Sequence, residues 1–550
     1  MYQKPNFRSS GLSFYLTAET TGRPVFYCIG NHDLEAGACG EELFESLFGP
    51  CWYSFDAGGI HFVVTPMPNG DHKPSYTHEM VADWMRNDLA YVPKGRPVVV
   101  FNHMVTYQWS PRDCGRKIGQ GSAALDIAAS CNLVAFVHGH VHHSYFQRRR
   151  GVAHIATSTP IKGGIGHDPA CFRIVCVAAD GKTTAQSVYY PVPDWTPSRA
   201  GANWETELGA PVLCGEPVFA DDRLFLATLD DDGLGTGAVF ALGAANGKVR
   251  WKAPMANSVK GVLVHFDGKV FAQDVDGHVC AFSSADGSPV WTHDLPDKAY
   301  LPVNAGLAVD RERGILYAGF GTRLCALEAR TGKVVWSGPK EWPIDGEATN
   351  TRPAVGSGVI VSAAQWSGIH ANDAASGEHL WFAKDNGEIY CGAASLITDD
   401  RVCALVEKRF NEYDLRTGKL LRTKPLGVKV ELPTGILSVA GKYVFGTWEG
   451  LMALDAKTLE IVWRIPVGSA LVVNAAYCYG GGSVSAAPVA VDGTTGVFAA
   501  QDGTLRVFSF ADGSVSRTFA TGVPYFAPPT VAKGVMFAAD FSGRVRAFRL

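Results

Sequence analysis

The first part of the chain alternates apolar runs with polar segments in a pattern that predicts a layered α/β domain. Three runs of mainly Val, Ile, Leu and Phe, at positions 25–29, 98–101 and 133–137, are typical of strands buried on both faces. Apolar residues recur at helical spacing over residues 78–90, which predicts an amphipathic helix before the second run. Helices packed on a mostly buried sheet give the layered arrangement.

Each of the three apolar runs leads into polar residues that contain histidine. The segments that follow them are Gly30-Asn31-His32-Asp33, Asn102-His103 and His138-Gly139-His140-Val141-His142-His143. Because open α/β sheets bind ligands outside the carboxyl ends of their strands, we expect these side chains to meet at one edge. Imidazole suits Zn, Fe and related ions, and no Cys or Ser stands with the histidines as a candidate nucleophile. The pattern therefore predicts a metal site.

The remainder of the chain reads as short strands separated by Gly and Asp turns, and one unit recurs. Four segments each have Ala, Gly six residues later and Trp four after that: 241–251, 281–291, 326–336 and 371–381. The period of about 40–45 residues is that of a four-stranded propeller blade. Three further copies are altered: 412–422 has Arg422 in place of Trp, 453–463 has Leu459 in place of Gly, and 507–517 keeps Gly513 but lacks the Ala and the Trp.

The two ends of the repeat region predict how a ring of blades closes. Residues 523–550 are long enough for about three strands, and residues 203–208 resemble the outer strand of a blade whose other strands are absent. Paired together they would complete an eighth blade and leave only short sheet edges. Three prolines mark a connector before this region, so we divide the chain into an α/β domain (1–190), a linker (191–202) and a propeller (203–550).

The repeat resembles the tryptophan-docking motif of eight-bladed propellers of the pyrroloquinoline-quinone dehydrogenase type. In that family the indoles pack flat between neighbouring blades, which accounts for the Trp residues without any ligand. The dehydrogenases carry an adjacent Cys-Cys pair and a Glu/Asn/Asp calcium site, and this chain has no Cys-Cys. The resemblance therefore implies a non-catalytic propeller without the quinone cofactor, and a quinone-dependent dehydrogenase is the least favoured interpretation.

The set G-N-H-D, N-H and G-H-x-H resembles the calcineurin-like metallophosphoesterases over residues 24–190. The resemblance implies that Asn31, His103 and His140 bind one divalent ion and that His142 binds its neighbour, the family metals being Mn, Fe or Zn. It also implies that His32 acts as general acid or charge stabiliser at the leaving oxygen, with Asp33 orienting it. The substrate class implied is a phosphate ester, hydrolysed by a metal-activated water. His143, Tyr107 and His167 are expected on the substrate side, from their position in the sequence alone.

One departure from that family pattern changes the expected metal content. The family has D-x-H and G-D motifs upstream, but residues 1–29 contain no Asp and no His, so we expect at most one ion to be retained. One explanation, which we favour, is a fragment in which Met1 is an internal residue of a longer protein. The other is a degenerate domain kept as a platform, in which case the chain is a non-enzymatic scaffold whose propeller face recruits a protein or glycan.

Composition excludes several other classes. The 49 Lys and Arg residues are balanced by 53 Asp and Glu, giving a net charge of −4, which argues against a basic nucleic-acid binder. No run approaches the roughly 20 apolar residues of a membrane-spanning helix. The 13 cysteines have no CxxC spacing and mostly lie in apolar segments, so we expect buried free thiols. The compartment stays open, although both resemblances imply a location outside the cytoplasm if the true N-terminus lies upstream.

Overall fold

The computed structural model describes most of the chain. The described residues are 17–30, 33, 40–66, 78–103, 127–140, 142–159, 168–213, 215–295, 306–320, 323–338, 352–364, 368–383, 395–406, 408–430, 435–473 and 488–550.

The N-terminal α/β domain is built on a six-stranded sheet in the order β1-β2-β3-β4-β6-β5. Its strands and the accompanying helices are β1 (Tyr53–Ala57), β2 (Ile60–Val64), β3 (Pro97–Asn102), β4 (Asn132–His138), β5 (Tyr145–Arg149), β6 (Val152–Ala156), α1 (Ala18–Thr21), α2 (Gly40–Phe48) and α3 (His78–Leu89). Strands β2, β3, β4 and β6 run parallel, and the hairpins β1–β2 and β5–β6 are antiparallel. A separate hairpin joins β7 (Cys171–Val177) to β8 (Thr183–Tyr189).

The centre of this sheet is covered on both faces, as its apolar runs predict. Val81, Met85 and Leu89 of α3 pack against Val98 and Val100 of β3 on one face. On the other face, side chains of the β7–β8 hairpin complete a second cluster with residues of β3, β4 and β6. The predicted helix and two of the three predicted strands are therefore confirmed.

The prediction of a strand at residues 25–29 is wrong. This segment has no regular structure and contacts β1 through side chains: the Tyr53 hydroxyl donates to the Tyr27 carbonyl at 2.8 Å, and Phe26 stacks on Phe55 with ring centres 3.8 Å apart. β1 forms its backbone ladder with β2. An apolar run becomes a strand only where a neighbouring backbone accepts its hydrogen bonds, and the described strands form no ladder with this one.

The second half is an eight-bladed propeller, which confirms the predicted fold class. Each blade is a four-stranded antiparallel sheet, and the strands in chain order are β9 (Trp204–Glu207), β10 (Val218–Ala220), β11 (Arg223–Ala227), β12 (Ala238–Gly243), β13 (Val249–Pro254), β14 (Val264–Phe266), β15 (Lys269–Gln273), β16 (His278–Ser283), β17 (Pro289–Asp294), β18 (Leu307–Asp310), β19 (Ile315–Phe320), β20 (Arg323–Glu328), β21 (Val334–Gly338), β22 (Ala354–Gly356), β23 (Val359–Ala364), β24 (Gly368–Asp373), β25 (His379–Ala383), β26 (Leu396–Thr398), β27 (Arg401–Val406), β28 (Arg409–Asp414), β29 (Leu420–Pro425), β30 (Ile436–Val439), β31 (Lys442–Thr447), β32 (Gly450–Asp455), β33 (Ile461–Pro466), β34 (Val489–Ala490), β35 (Thr495–Ala499), β36 (Thr504–Ser509), β37 (Val515–Ala520), β38 (Thr530–Ala532), β39 (Val535–Ala539) and β40 (Arg544–Arg549). Blade 1 is β10–β13, and the following blades take four strands each as far as blade 7, β34–β37.

Blade 8 closes the ring with strands from both ends of the repeat region, as predicted. Strands β38, β39 and β40 form three of its strands, and β9 pairs antiparallel with β40 as the outer one. Two ion pairs reinforce the seam: Arg546 meets Glu205 at 2.5 Å, and Arg544 meets Glu207 at 2.6 Å. The first strand of the propeller is thereby fixed to the last.

A tryptophan on the outer strand of one blade packs on a glycine turn of the next. Each of these indole N–H groups donates to a main-chain carbonyl of the following blade at 2.8–3.2 Å, the pairs being Trp204 with Ala244, Trp251 with Ser284, Trp291 with Ala329, Trp336 with Ala374, Trp381 with Leu415 and Trp463 with Phe510. The glycines lie in the left-handed backbone region, and a Cβ on Gly287, for example, would lie 2.7 Å from the ring of Trp251. Only glycine leaves room for the indole at this position.

Two of the three altered copies of the repeat compensate for each other. Arg422 of blade 5 stands where the indole would be, and its guanidinium donates to the carbonyls of Ala456 at 2.9 Å and Lys457 at 2.6 Å in blade 6. It also pairs with the buried carboxylate of Glu412. Blade 6 has Leu459 in place of glycine, at φ 59° and nearly fully buried. A blade that lacks the indole is thus followed by a blade that no longer needs the glycine.

The absence of a membrane-spanning helix and the free state of the cysteines are two further expectations from the sequence. No helix within the described residues has both the length and the apolar content to cross a membrane. Every cysteine in the described ranges is a free thiol, and most are buried or half-buried. The expectation of free thiols is therefore confirmed for this part of the chain.

Replacing Gly287 by alanine is expected to destabilise the ring more than replacing Gly268. Both glycines have positive φ, 76° and 68°, so alanine meets similar backbone strain at each. A Cβ at Gly287 would in addition press on Trp251, whereas nothing lies within 4 Å of a Cβ at Gly268. Gly287→Ala should lower the free energy of unfolding by about 1–3 kcal/mol more than Gly268→Ala, as measured by urea denaturation. Equal losses in the two variants would contradict the packing role.

Candidate metal site at the carboxyl edge of the sheet

The second and third histidine motifs meet because their strands are neighbours in the parallel part of the sheet. β3 pairs with β4 so that Asn102 lies opposite His138 at the carboxyl end of both strands. One residue further on, the Gly139 N–H donates to the His103 carbonyl at 3.2 Å. The loops that carry His103 and His140 therefore leave the sheet side by side.

The imidazoles of His103 and His140 are adjacent. Their ring centres are 5.2 Å apart, and the ring planes are inclined at 76°. Two imidazoles bound to one tetrahedral ion at about 2.1 Å have ring centres roughly 5 Å apart. The observed spacing therefore suits a shared ion, although an edge-to-face ring contact has similar dimensions.

Two glycine backbones hold the His103 ring from the first and third motifs. A Cβ at Gly30 would lie 3.2 Å from the imidazole of His103, and a Cβ at Gly139 would lie 3.3 Å from its Nδ1. Any larger residue at either position would press on the ring. The glycines of G-N-H-D and G-H-x-H are thus required by the position of His103, and all three motifs converge on this side chain.

Asp33 shapes the turn of the first motif. Its Oδ2 accepts a hydrogen bond from the Gly30 N–H at 2.7 Å, and its own N–H donates to the Gly30 carbonyl at 3.2 Å. Asn31 and His32, which the turn encloses, lie outside the described residues. The roles expected for Asn31, for His32 and for Asp33 as its orienting partner therefore stay predictions.

Cys28 lies close to this turn but offers no thiolate. The pKa of its thiol is raised to about 12, mainly by burial and to a smaller extent by the charge of Asp33, while a hydrogen bond with the backbone of His103 lowers it in part. The thiol is consequently protonated at neutral pH and is a poor nucleophile.

The third motif has an unusual backbone. His140 has φ 66° and His142 has φ 51°, both in the left-handed region. A residue with a side chain in this region costs roughly 1–2 kcal/mol. Two such residues within three positions persist only where the surroundings fix the loop, and residues of this kind cluster at functional sites.

Two other histidines in this region belong to the core. His138 shares a 2.7 Å hydrogen bond with the Tyr145 hydroxyl, and burial lowers its pKa to about 4. Burial likewise lowers the pKa of His154 on β6 to about 3, with a smaller contribution from His138. Both are neutral at pH 7.

The position of His143 was predicted wrongly, and its true partners gave no sequence signal. The side chain is 2% exposed, and its Nδ1 lies 3.1 Å from the carboxylate of Asp168. It therefore does not line a substrate side, and the two other residues assigned there, Tyr107 and His167, lie outside the described residues. Asp168 in turn pairs with Lys260 of the propeller at 2.7 Å, a contact between residues 92 positions apart that no local motif announces.

The described residues contain only part of the predicted donor set. Nowhere in those residues do three His, Cys, Asp or Glu side chains converge in a way that could hold a metal. His103 and His140 form an imidazole pair, and Asn31 is the residue predicted as the third donor. The role expected for His142 at a second ion stays a prediction.

Comparison with known proteins identifies both halves. A family model for calcineurin-like phosphoesterases matches residues 9–144, and a family model described as outer membrane protein assembly factor BamB matches residues 173–465. The chain belongs to this BamB family. The phosphoesterase match confirms the recognition made from the histidine motifs, and the second match confirms the recognition of a quinoprotein-like propeller. The domain bounds 1–190, 191–202 and 203–550 stay predictions.

The similar curated proteins are themselves members of the BamB family. The BamB protein of Burkholderia pseudomallei is 28% identical over 254 residues, which cover 44% of this chain and 63% of that protein. The BamB protein of Bordetella pertussis is 25% identical over 239 residues, covering 42% of this chain and 60% of that protein. The chain thus spans less than two thirds of the length of these relatives.

Solved structures share the ring fold at low sequence identity. The quinohemoprotein alcohol dehydrogenase of Comamonas testosteroni matches 63% of this chain and 76% of its own, with 14% identity and a TM-score of 0.51. The computationally designed protein Ika8 matches 64% of this chain and all of its own, with 16% identity and a TM-score of 0.50. These likenesses support the propeller fold alone.

Stability of the chain is expected to fall as the pH drops from 6.5 towards 3, in part through His154. Because its pKa is lower in the folded state than in the unfolded state, the unfolded chain binds the proton first in this range and gains free energy. Each such histidine removes up to about 1.4 kcal/mol of stability per pH unit. In His154→Gln the slope of the unfolding free energy against pH should be smaller by up to about 1.4 kcal/mol per pH unit. The slope is measured by urea denaturation between pH 7 and 5. Parallel pH profiles for the two proteins would contradict this.

Proposed function

We propose that the N-terminal domain is a metal-dependent phosphoric-ester hydrolase that binds one divalent ion through Asn31, His103 and His140. The observation that carries the proposal is the adjacency of His103 and His140, with the backbones of Gly30 and Gly139 closed on His103. The phosphoesterase match over residues 9–144 supports the reaction class. The propeller serves as a non-catalytic partner domain without a quinone cofactor.

Each residue of the proposed site would have its own role in metal binding or proton transfer. His103 and His140 would hold the ion through their imidazoles, and Asn31 would be the third ligand. When bound, the ion would supply positive charge at the phosphate and lower the pKa of a water molecule. His32 donates a proton to the leaving oxygen, and Asp33 keeps the turn that carries His32 closed through its two hydrogen bonds with Gly30.

A second candidate function is a binding scaffold with a degenerate phosphoesterase domain. One observation favours it: among the described residues, no group of three or more His, Cys, Asp or Glu side chains could hold a metal ion. In that case the propeller face would recruit a protein or glycan, and the histidines would be relics. Metal binding separates the two candidates.

The chain is expected to bind one Mn²⁺ and to hydrolyse p-nitrophenyl phosphate in its presence. Substituting His103→Gln or His140→Gln removes an imidazole donor and should weaken Mn²⁺ binding by more than about tenfold, because changing even the outer partners of a ligand costs that much. Bound metal is measured by elemental analysis after gel filtration and by titration calorimetry. Hydrolysis is followed by the absorbance of the phenolate.

The control substitution is His293→Gln, on the outer strand β17 of blade 2, which should leave binding and turnover as in the parent chain. Failure of the parent chain to bind Mn²⁺, Fe²⁺ or Zn²⁺ would end the hydrolase proposal and favour the scaffold. Metal binding that survives both His103→Gln and His140→Gln would show that the ion lies elsewhere.

A further inference from the structure

The α/β domain is joined to the propeller by a buried network of charges immediately after the third histidine motif. Lys260 lies in the connection between β13 and β14, and it is 2% exposed. Its Nζ lies 2.5 Å from the carbonyl of Ser144, 2.7 Å from Asp168 and 3.0 Å from Asp231. An ammonium group has three N–H donors, and these three acceptors match them.

The network reaches the motif from its C-terminal side. The Oδ2 atom of Asp168 lies 3.1 Å from Nδ1 of His143 and accepts the Ser144 N–H at 3.1 Å. His143, Ser144 and Asp168 are all buried. Burial alone would raise the pKa of Asp168, but the Lys260 ammonium and His143 hold it well below its usual range, so the carboxylate is ionised. The two residues that follow His142 are therefore fixed by a charge supplied from the propeller.

The other side of the motif is fixed by the sheet. His138 is the last residue of β4, and the Gly139 N–H is bonded to the His103 carbonyl. Between these two anchors lie His140 and His142, both held in the left-handed region. A loop in this conformation persists only when both of its ends are constrained.

Further contacts place the propeller against the strand that continues the loop. The Asn257 side chain donates to the Phe146 carbonyl at 2.9 Å, and Gln147 donates to Asp276. The turn at Gly233 packs so closely on the Phe146 ring that a Cβ there would lie 2.5 Å from it. The propeller thus contacts Ser144, Phe146 and Gln147, directly beyond the histidines.

We propose that Lys260 of the propeller is a positioning residue for the candidate metal site, holding the His140–His142 loop in its strained conformation through Asp168, His143 and Ser144. A buried ion pair is a weak source of net stability, because desolvation offsets most of its attraction. The contact is therefore better explained by the geometry that it imposes than by the strength with which it joins the domains. The metal part of this inference rests on the proposed function, whereas the conformational part does not.

The test compares two variants of the full chain that differ only at Lys260. Asp231→Asn removes the propeller-side carboxylate and leaves Lys260 on Ser144 and Asp168, so it serves as the baseline. Lys260→Met/Asp231→Asn removes the cation as well, and it avoids leaving two buried carboxylates without a partner. Amide hydrogen exchange is measured by mass spectrometry on peptides spanning residues 138–147 and on peptides of the blades. Affinity for Mn²⁺ alone is measured by titration calorimetry.

Peptides spanning residues 138–147 are expected to exchange at least tenfold faster in the double variant than in the baseline, with blade peptides unchanged. Mn²⁺ affinity should fall by about 10–100-fold, the range seen when an outer partner of a metal ligand is lost. Equal exchange in the two variants would overturn the proposal, and so would faster exchange throughout the chain, since Lys260 would then support the fold as a whole. If neither variant nor the parent chain binds Mn²⁺, the proposed function fails, and the exchange comparison alone decides the positioning role.

Discussion

The packing of an indole from one blade on the glycine turn of the next determines how this chain closes on itself. Each contact combines a large buried apolar face with one hydrogen bond to a main-chain carbonyl, so it sets both the distance and the angle between neighbouring blades. Where Arg422 replaces the indole, its guanidinium bonds to the same region of the following blade, and Leu459 takes the place of the glycine. The ring is thereby kept regular at this joint by a different chemistry.

A regular ring offers fixed positions for the segments that connect its blades, and the α/β domain is attached to several of them. The connection that carries Lys260 contacts Ser144 and Phe146. On another part of the ring, the Val473 carbonyl accepts the Ala170 N–H at 2.6 Å, and Tyr189 and Trp195 pack on Phe541. The α/β domain is consequently held at separate points, and the conformation of its histidine loop is linked to the integrity of the ring.

Much of this architecture follows from the sequence because it is periodic. The blades and their closure by residues 203–208 are evident from spacing, and the converging histidine loops follow from the rule that parallel strands end at one edge. The changes at Arg422 and Leu459 are also visible in the sequence, but their connection is not, since it depends on which blade faces which. Apolar content at residues 25–29 suggested a strand, yet content does not supply the neighbouring backbone that a strand requires.

The residues that the sequence could not assign are those whose role comes from contact between domains. Asp168 and Lys260 are separated by 92 positions, and neither belongs to a repeat or a motif. His143 resembled its neighbours in the histidine run, and only its burial against Asp168 distinguishes it from them. Single charged residues carry no periodic signal, so their pairing becomes apparent only in the folded molecule.

The pairing of β9 with β40 has a consequence for biosynthesis. Residues that form one ion pair across this seam, Glu207 and Arg544, are 337 positions apart, so the ribosome makes the outer strand of blade 8 long before the strand on which it docks. Domains generally fold in the order in which they are translated. The phosphoesterase-like part can therefore acquire its structure while β9 still waits for its partner strand, and the nascent propeller remains an open arc until β40 has been made.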